Sequence, residues 1–237
     1  MRAILPAKDE TRLVGEFFGG VPGFFVEVGA FEPERWSQTY HLEQIGWTGI
    51  LIEPQPDLAE KLRQQRHAKV YAVACSSPEN SGKRMSLHLA GGMSSLEPHL
   101  VTSTVSAHGV LEVPVRTLDE ILLDAGAPTP IDFLSIDVEG HQIEVLLGLS
   151  LVRWRPRLIL LEDHVVNLDV HRFLRSHGYK WIRRTDLNAW YAPSEANMRL
   201  TWIGRLQFIR KYYLGTPFRR MRDSLRGLRA RIRRPKH

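Results

Sequence analysis

The chain has 237 residues, 43% hydrophobic and 24% charged, with a single cysteine, Cys75, and a formal net charge of +6. That length suits one α/β domain with some decoration, the composition excludes a disordered or disulfide-built scaffold, and the lone cysteine fits a reducing compartment. The charge is unevenly placed: residues 199–237 hold thirteen Lys/Arg against Asp223 alone, a local net of +12, so the remainder nets −6 and reads as a mildly acidic body carrying a basic arm.

Near the N-terminus, Lys8, Asp9 and Glu10 interrupt the sequence before an apolar stretch of export length develops, and nowhere do eighteen apolar residues follow one another. The expectation is a cytoplasmic chain that does not span a membrane. Short runs rich in Val, Ile, Phe and Leu, bounded by Gly or Pro, recur at 24–28, 49–52, 70–74, 131–136 and 157–161 and read as buried parallel strands. Helical spacing follows them at 36–45, 57–66, 117–125, 143–149 and 170–177, the last closed by Gly178. After the third strand the alternation breaks: 85–89 and 113–115 bracket Gly91-Gly92-Met93-Ser94-Ser95, a strand, a glycine-rich loop and a second short strand. At the far end, 179–184 and 188–191 read as a hairpin around Asp186 and Asn188. The predicted fold is therefore α/β and Rossmann-like, a mostly parallel seven-stranded sheet with an antiparallel edge strand, in a domain 1–198 followed by a basic helical arm 199–237.

In such sheets ligands bind beyond the carboxyl ends of the strands, so the residues just after each strand carry the information. The first strand ends Glu27-Val28-Gly29-Ala30-Phe31: Gly29 lets backbone pass close to a ligand, and Glu27 offers a carboxylate. Its bland reading is a buried acid paired with a helix terminus. The second strand ends Ile52-Glu53-Pro54, placing Glu53 about twenty residues past the glycine turn, where a carboxylate accepts both hydroxyls of a ribose. The turn lacks the full G-x-G-x-x-G pattern, with Pro33 where a second glycine would serve a pyrophosphate. A cofactor with ribose and adenine but no phosphates, S-adenosylmethionine, fits better than NAD. Ser76, past the third strand, is placed to meet the adenine edge.

The runs Phe25-Val26-Glu27-Val28-Gly29-Ala30, Gly46-Trp47-Thr48-Gly49-Ile50-Leu51-Ile52-Glu53-Pro54, Gly91-Gly92-Met93-Ser94-Ser95 and Ser135-Ile136-Asp137-Val138-Glu139-Gly140-His141 resemble the FkbM-type methyltransferases from about Gly23 to Pro193. This resemblance implies a class I methyltransferase fold, S-adenosylmethionine as methyl donor, and O-methylation of sugars or natural-product hydroxyls. Thr39 matches a hydroxyl position found at the start of the first helix in similar sequences. Phe31-Glu32-Pro33 departs from the family's more usual Asn-Asp-Gly-like run.

Methyl transfer to oxygen requires alignment of acceptor and methyl, and removal or neutralisation of the acceptor proton. Asp137, Glu139 and His141 follow the fourth strand, and Glu162, Asp163 and His164 follow the fifth. Asp137 is the candidate catalytic and cofactor-side carboxylate, His141 and His164 are candidate bases, and Asp137 with Glu162 and Asp163 offers an oxygen set for Mg²⁺. Asp137 and Glu139 have the alternative of capping the next helix. The glycine loop 91–95 is placed to close over cofactor or acceptor. In the arm, apolar residues at Leu200, Ile203, Leu206 and Ile209 interleave with Arg, as suits an anionic membrane surface; nucleic acid is the competing partner. Two other readings stay open: a nucleic-acid-binding protein on a degenerate scaffold, and a small-molecule O- or N-methyltransferase.

Overall fold

The structure, a computed structural model, describes residues 8–98, 109–165, 168–197, 202–215, 217 and 221. Helix α1 (Lys8–Phe18) precedes β1 (Phe24–Val28), α2 (Tyr40–Glu43), β2 (Thr48–Ile52), α3 (Pro56–Gln65), β3 (Lys69–Tyr71) and β4 (Ala74–Cys75). Next come β5 (Arg84–Leu89), β6 (Gly109–Arg116), α4 (Leu118–Ala125), β7 (Phe133–Ile136), α5 (Gln142–Leu147), α6 (Leu151–Trp154) and β8 (Leu158–Glu162). Helix α7 (Asp169–Ser176), β9 (Tyr179–Thr185), β10 (Asn188–Pro193), α8 (Trp202–Phe208) and a π-helical turn, Ile209–Leu214, complete the order.

The seven-stranded sheet runs β3-β2-β1-β7-β8-β10-β9, parallel except for β10, which is antiparallel to both neighbours. The reversed strand therefore sits one place in from the edge, and β9 is outermost. Because β1 lies between β2 and β7, the strand order reverses beside its carboxyl end, which opens a crevice there.

Side-chain alternation divides the core. Val26, Val28, Ile50, Ile52, Leu134, Ile136, Ile159 and Leu161 face one layer with α4 and α5, while Phe25, Leu51, Phe133, Leu158 and Leu160 face the other, with Val14 and Phe18 of α1 and Leu62 of α3. The same period of two carries past the strand ends. Glu27, Asp137 and Glu162 fall on the α1 side, and Asp163 on the opposite one.

Several elements differ from the sequence reading. Helix α1 is assigned by none of the runs above; Leu13, Val14, Phe17 and Phe18 form its apolar stripe, and Phe18 meets Trp47 edge-on with ring centroids 4.9 Å apart. The helix expected over 36–45 shrinks to α2, since residues 31–39 form a loop whose Trp36 has a left-handed φ of 66°. The run 70–74 splits: β3 stays in the main sheet, while β4 joins β6 and β5 in a second, three-stranded sheet of order β4-β6-β5. A capping box between Thr117 and Glu120 starts α4, as the Thr-x-x-Glu spacing permits.

Part of the predicted arm packs on the domain. Tyr212 is 1% exposed, stacks on Phe208 at 4.6 Å, and its hydroxyl donates to Asp163 Oδ2 at 3.0 Å. A boundary at 198 would separate Tyr212 from the core it joins. Residues 222–237, most of the remaining arginines among them, lie outside the described residues, as do Leu200 and Thr201. Among the described residues no helix is long and apolar enough to cross a membrane.

Candidate functional site

A cavity of about 1140 Å³ opens at the carboxyl ends of β1, β2, β7 and β8. Sites for single drug-sized ligands occupy about 300–1,000 Å³, so two small molecules can lie here side by side. Its first wall is the turn after β1. Gly29 has φ of 84°, and a Cβ built on it would stand 1.8 Å from the carbonyl oxygen of Asp137, so only glycine lets these two strand ends close up. Gly29 N and Ala30 N both donate to Ile52 O, at 2.9 and 3.1 Å. Phe31 then takes φ of 49° and aims its N–H at Glu53.

Glu53 is the best-prepared acid of the site. Its Oε2 accepts from Phe31 N at 3.0 Å and its Oε1 from Gln55 N at 2.9 Å, which fixes the carboxyl plane at the cavity wall. Burial pushes its pKa up to about 7, against the opposing pull of those two amides. Beside it, Val73, Ala74, Cys75 and Leu87 present an apolar wall. Ser76 does not join that wall: its hydroxyl lies 2.9 Å from His141 Nε2 and accepts from Asn80 Nδ2 at 3.0 Å.

Glu27 and Thr39 are also turned to internal work. Glu27 accepts from Ser37 Oγ at 2.9 Å, Gln38 N at 2.7 Å and Thr39 Oγ1 at 2.5 Å, and neither Glu27 nor Thr39 lines the cavity. Burial raises the Glu27 pKa, partly offset by the nearby Arg66 guanidinium. Arg66, itself buried, donates to Pro33 O at 2.9 Å, Ser37 Oγ at 3.1 Å and Thr39 Oγ1 at 3.0 Å, and pairs with Glu43. This buried network holds loop 31–39 in place of a glycine-rich turn. The bland reading of Glu27, a buried acid tied to a helix start, describes its contacts.

The end of the cavity beyond β7 and β8 collects acids. Asp137 and Glu162, on one face of neighbouring strands, interact directly; burial first, then the Glu162 and Glu139 charges, hold the Asp137 carboxyl well above the usual carboxylate range. Asp137 has protein packed around its carboxyl yet keeps accessible surface, and it lines the cavity. Glu162 is also raised, mainly by burial and then by Glu139. Neither Asp137 nor Glu139 caps α5, whose first residue follows His141 without a side-chain cap. Asp163, on the opposite face, spends Oδ1 on Val165 N at 2.7 Å and Oδ2 on Tyr212, so it does not meet Asp137 and Glu162. His164 Nε2 stands 3.6 Å from Glu162 Oε2 and 3.9 Å from Glu139 Oε2, and these acids raise its pKa, Glu139 first.

His141 lines the cavity with both ring nitrogens committed: Nδ1 is 3.0 Å from Glu97 Oε1 and Nε2 is 2.9 Å from Ser76 Oγ. A carboxylate cannot donate, so Nδ1 carries the proton and neither nitrogen is left for an acceptor. His141 instead anchors the glycine loop. Ser95 Oγ also donates to Glu139 O at 2.6 Å, so the segment 90–97 forms a wall tied to the turn after β7, with Gly92 close over Phe31 and Trp36.

Two lining residues had no motif to reveal them. Glu10, on α1, is 3% exposed and accepts from Asn188 Nδ2 at 3.0 Å, from Gln38 Nε2 at 3.1 Å and from Thr185 Oγ1. The helical stripe of α1 was the only available signal for Glu10, and the turn Asp186-Leu187-Asn188 the only one for Asn188.

A family model described as Methyltransferase FkbM domain matches residues 27–181. The hexuronic acid methyltransferase AglP of Haloferax volcanii is 26% identical over 117 residues, covering 48% of this chain and 46% of that protein. The chain thus spans about half the length of that relative. Among solved structures, methyltransferase FkbM from Methylobacillus flagellatus KT aligns with a TM-score of 0.48 at 14% identity, over 72% of this chain and 43% of the other. A precorrin-6y C5,15-methyltransferase from Geobacter metallireducens GS-15 aligns with a TM-score of 0.42 at 13% identity, over 81% and 90% of the two chains.

Proposed function

The chain belongs to the FkbM methyltransferase family, and from that premise we propose that it is an S-adenosylmethionine-dependent O-methyltransferase acting on a hydroxyl of a sugar, glycan or natural product. The observation that carries the reading is Glu53, a buried carboxylate pinned by Phe31 N and Gln55 N beside an apolar wall, the donor-acceptor pattern a ribose and a purine need. Gly29, Ala30 and Phe31 would pass closest to the methionine end, and Val73, Ala74, Cys75 and Leu87 would face the adenine.

When bound, the cofactor supplies an electrophilic methyl on a sulfonium. The chain's own part is to align an acceptor hydroxyl in the second half of the cavity, to shut out water with the 90–97 wall, and to take the hydroxyl proton. Asp137, whose carboxyl interacts with Glu162, would receive it: the O–H proton would pass to the carboxylate while the acceptor oxygen takes the methyl that the cofactor would supply. A sugar acceptor is supported by AglP, a hexuronic acid methyltransferase. A polyanion such as nucleic acid is disfavoured by the acids around the acceptor end, Glu10, Asp137, Glu139, Glu162 and Asp186.

Glu53→Gln is expected to weaken binding of S-adenosylhomocysteine about 10–100-fold by calorimetry, since a charged acceptor of two hydroxyls becomes a neutral one. The sign of the pH dependence follows. The ionised form accepts both hydroxyls, so affinity in the native chain should rise as pH passes through about 7 and level off above it. Equal affinity in the variant, or none in the native chain, would remove the cofactor assignment.

The arm is proposed to bring the enzyme to an anionic membrane surface where a lipid-linked acceptor is presented. In its described part Trp202, Leu206, Ile209 and Tyr213 are exposed at helical spacing beside Arg205 and Arg210. The full chain should sediment with vesicles containing anionic lipid and stay in solution with neutral ones. Equal partitioning would end this part of the proposal.

A further inference from the structure

We propose that Glu139, Glu162 and His164 form a divalent-cation site in the wall of the acceptor end. Only its use in catalysis rests on the methyltransferase reading. One ligand atom from each residue can be chosen so that all three lie within 4.8 Å of one another. Glu162 supplies the independent sign of a missing partner: it is 9% exposed, it lines the cavity, and its Oε2 has no hydrogen-bond partner among the described residues. A buried carboxylate oxygen without a donor is costly, and a cation is one way to satisfy it.

The spacing suits an ion once the three side chains draw together. Nitrogen and oxygen ligands stand about 2.0–2.2 Å from a first-row ion, hence roughly 3 Å from one another. The two separations from His164 Nε2 are 3.6 and 3.9 Å and all three ligand atoms lie within 4.8 Å, so His164, whose side chain is 45% exposed, and the two carboxylates would draw together around an ion. The set differs from Asp137, Glu162 and Asp163, which strand alternation divides between two faces. It also differs in chemistry. One imidazole with two carboxylates favours Mn²⁺, Co²⁺ or Zn²⁺ over the all-oxygen preference of Mg²⁺ and Ca²⁺. Three protein ligands leave coordination positions open toward the cavity, where an acceptor with neighbouring oxygens would chelate.

The test is Mn²⁺ titration of the metal-stripped full chain, followed by the loss of the free-ion electron paramagnetic resonance signal. One Mn²⁺ per chain is expected, with affinity falling at least about tenfold in both Glu139→Gln and His164→Ala. S-adenosylhomocysteine affinity, measured on the same samples by calorimetry, should stay within about twofold and so report an intact fold. No Mn²⁺ bound at about 1 mM, or unchanged affinity in both variants, would overturn the site. Native chain that binds Mn²⁺ but no nucleoside would support the site while removing the cofactor reading, which keeps the two failures apart.

Discussion

Gly29→Ala should abolish nucleoside binding and lower the thermal midpoint, the largest effect expected of any single methyl group in this chain. At φ of 84° an L-residue is strained by roughly 1–2 kcal/mol before any contact is considered. The added carbon would then lie 1.8 Å from the Asp137 carbonyl oxygen, a backbone atom held in the β1–β7 ladder by Asp137 N donating to Val28 O at 2.9 Å. The contact can be relieved only by parting the two strand ends. That moves Phe31 N off Glu53 and Asp137 off Glu162 together, so cofactor and acceptor halves fail at once. Calorimetry with S-adenosylhomocysteine should show a loss beyond about a hundredfold. An alanine variant that binds normally would show that the tight turn has no part in the site.

Asp137→Asn should leave nucleoside binding near native and remove most turnover. Asparagine fills the same volume but cannot accept a proton, and general-base contributions are worth about 10²–10⁴-fold. Burial and the Glu162 and Glu139 charges raise the Asp137 pKa, so in the native enzyme activity should climb with pH as the pair loses its shared proton. The variant's residual activity should lack that rise. Stability should move the other way. A carboxyl whose folded pKa exceeds its unfolded value binds more protons when folded, so its contribution declines as pH rises from the unfolded value through the folded one. Removing it should therefore leave the thermal midpoint no lower than native, with the advantage growing toward high pH. Single-turnover kinetics with melting curves test both limbs, and turnover within about fivefold of native would take Asp137 out of the mechanism.

Much of the scaffold was legible because burial writes a local signature. Runs such as 24–28 and 131–136 are apolar enough to be strands covered on both sides, and the acids that matter sit one residue past their ends. Glu53 and Asp137 line the cavity as that rule leads one to expect. Parity along β8 is legible as well: counting two by two from Leu158 places Glu162 and Asp163 on opposite faces.

The sequence by itself determined the layered α/β class, the position of Gly29 and the family, because each is encoded over a few consecutive residues by periodicity, a required backbone angle or a short motif. Only the tertiary structure decided which of the candidate groups are free to act. Glu27, Thr39, Ser76, Asp163 and His141 are engaged by Arg66, Asn80, Tyr212 and Glu97, and Glu10 reaches the cavity through a bond to Asn188, 178 positions away. Such pairings follow from how packed layers bring distant side chains within hydrogen-bond reach, a property of the folded volume that no spacing along the chain records.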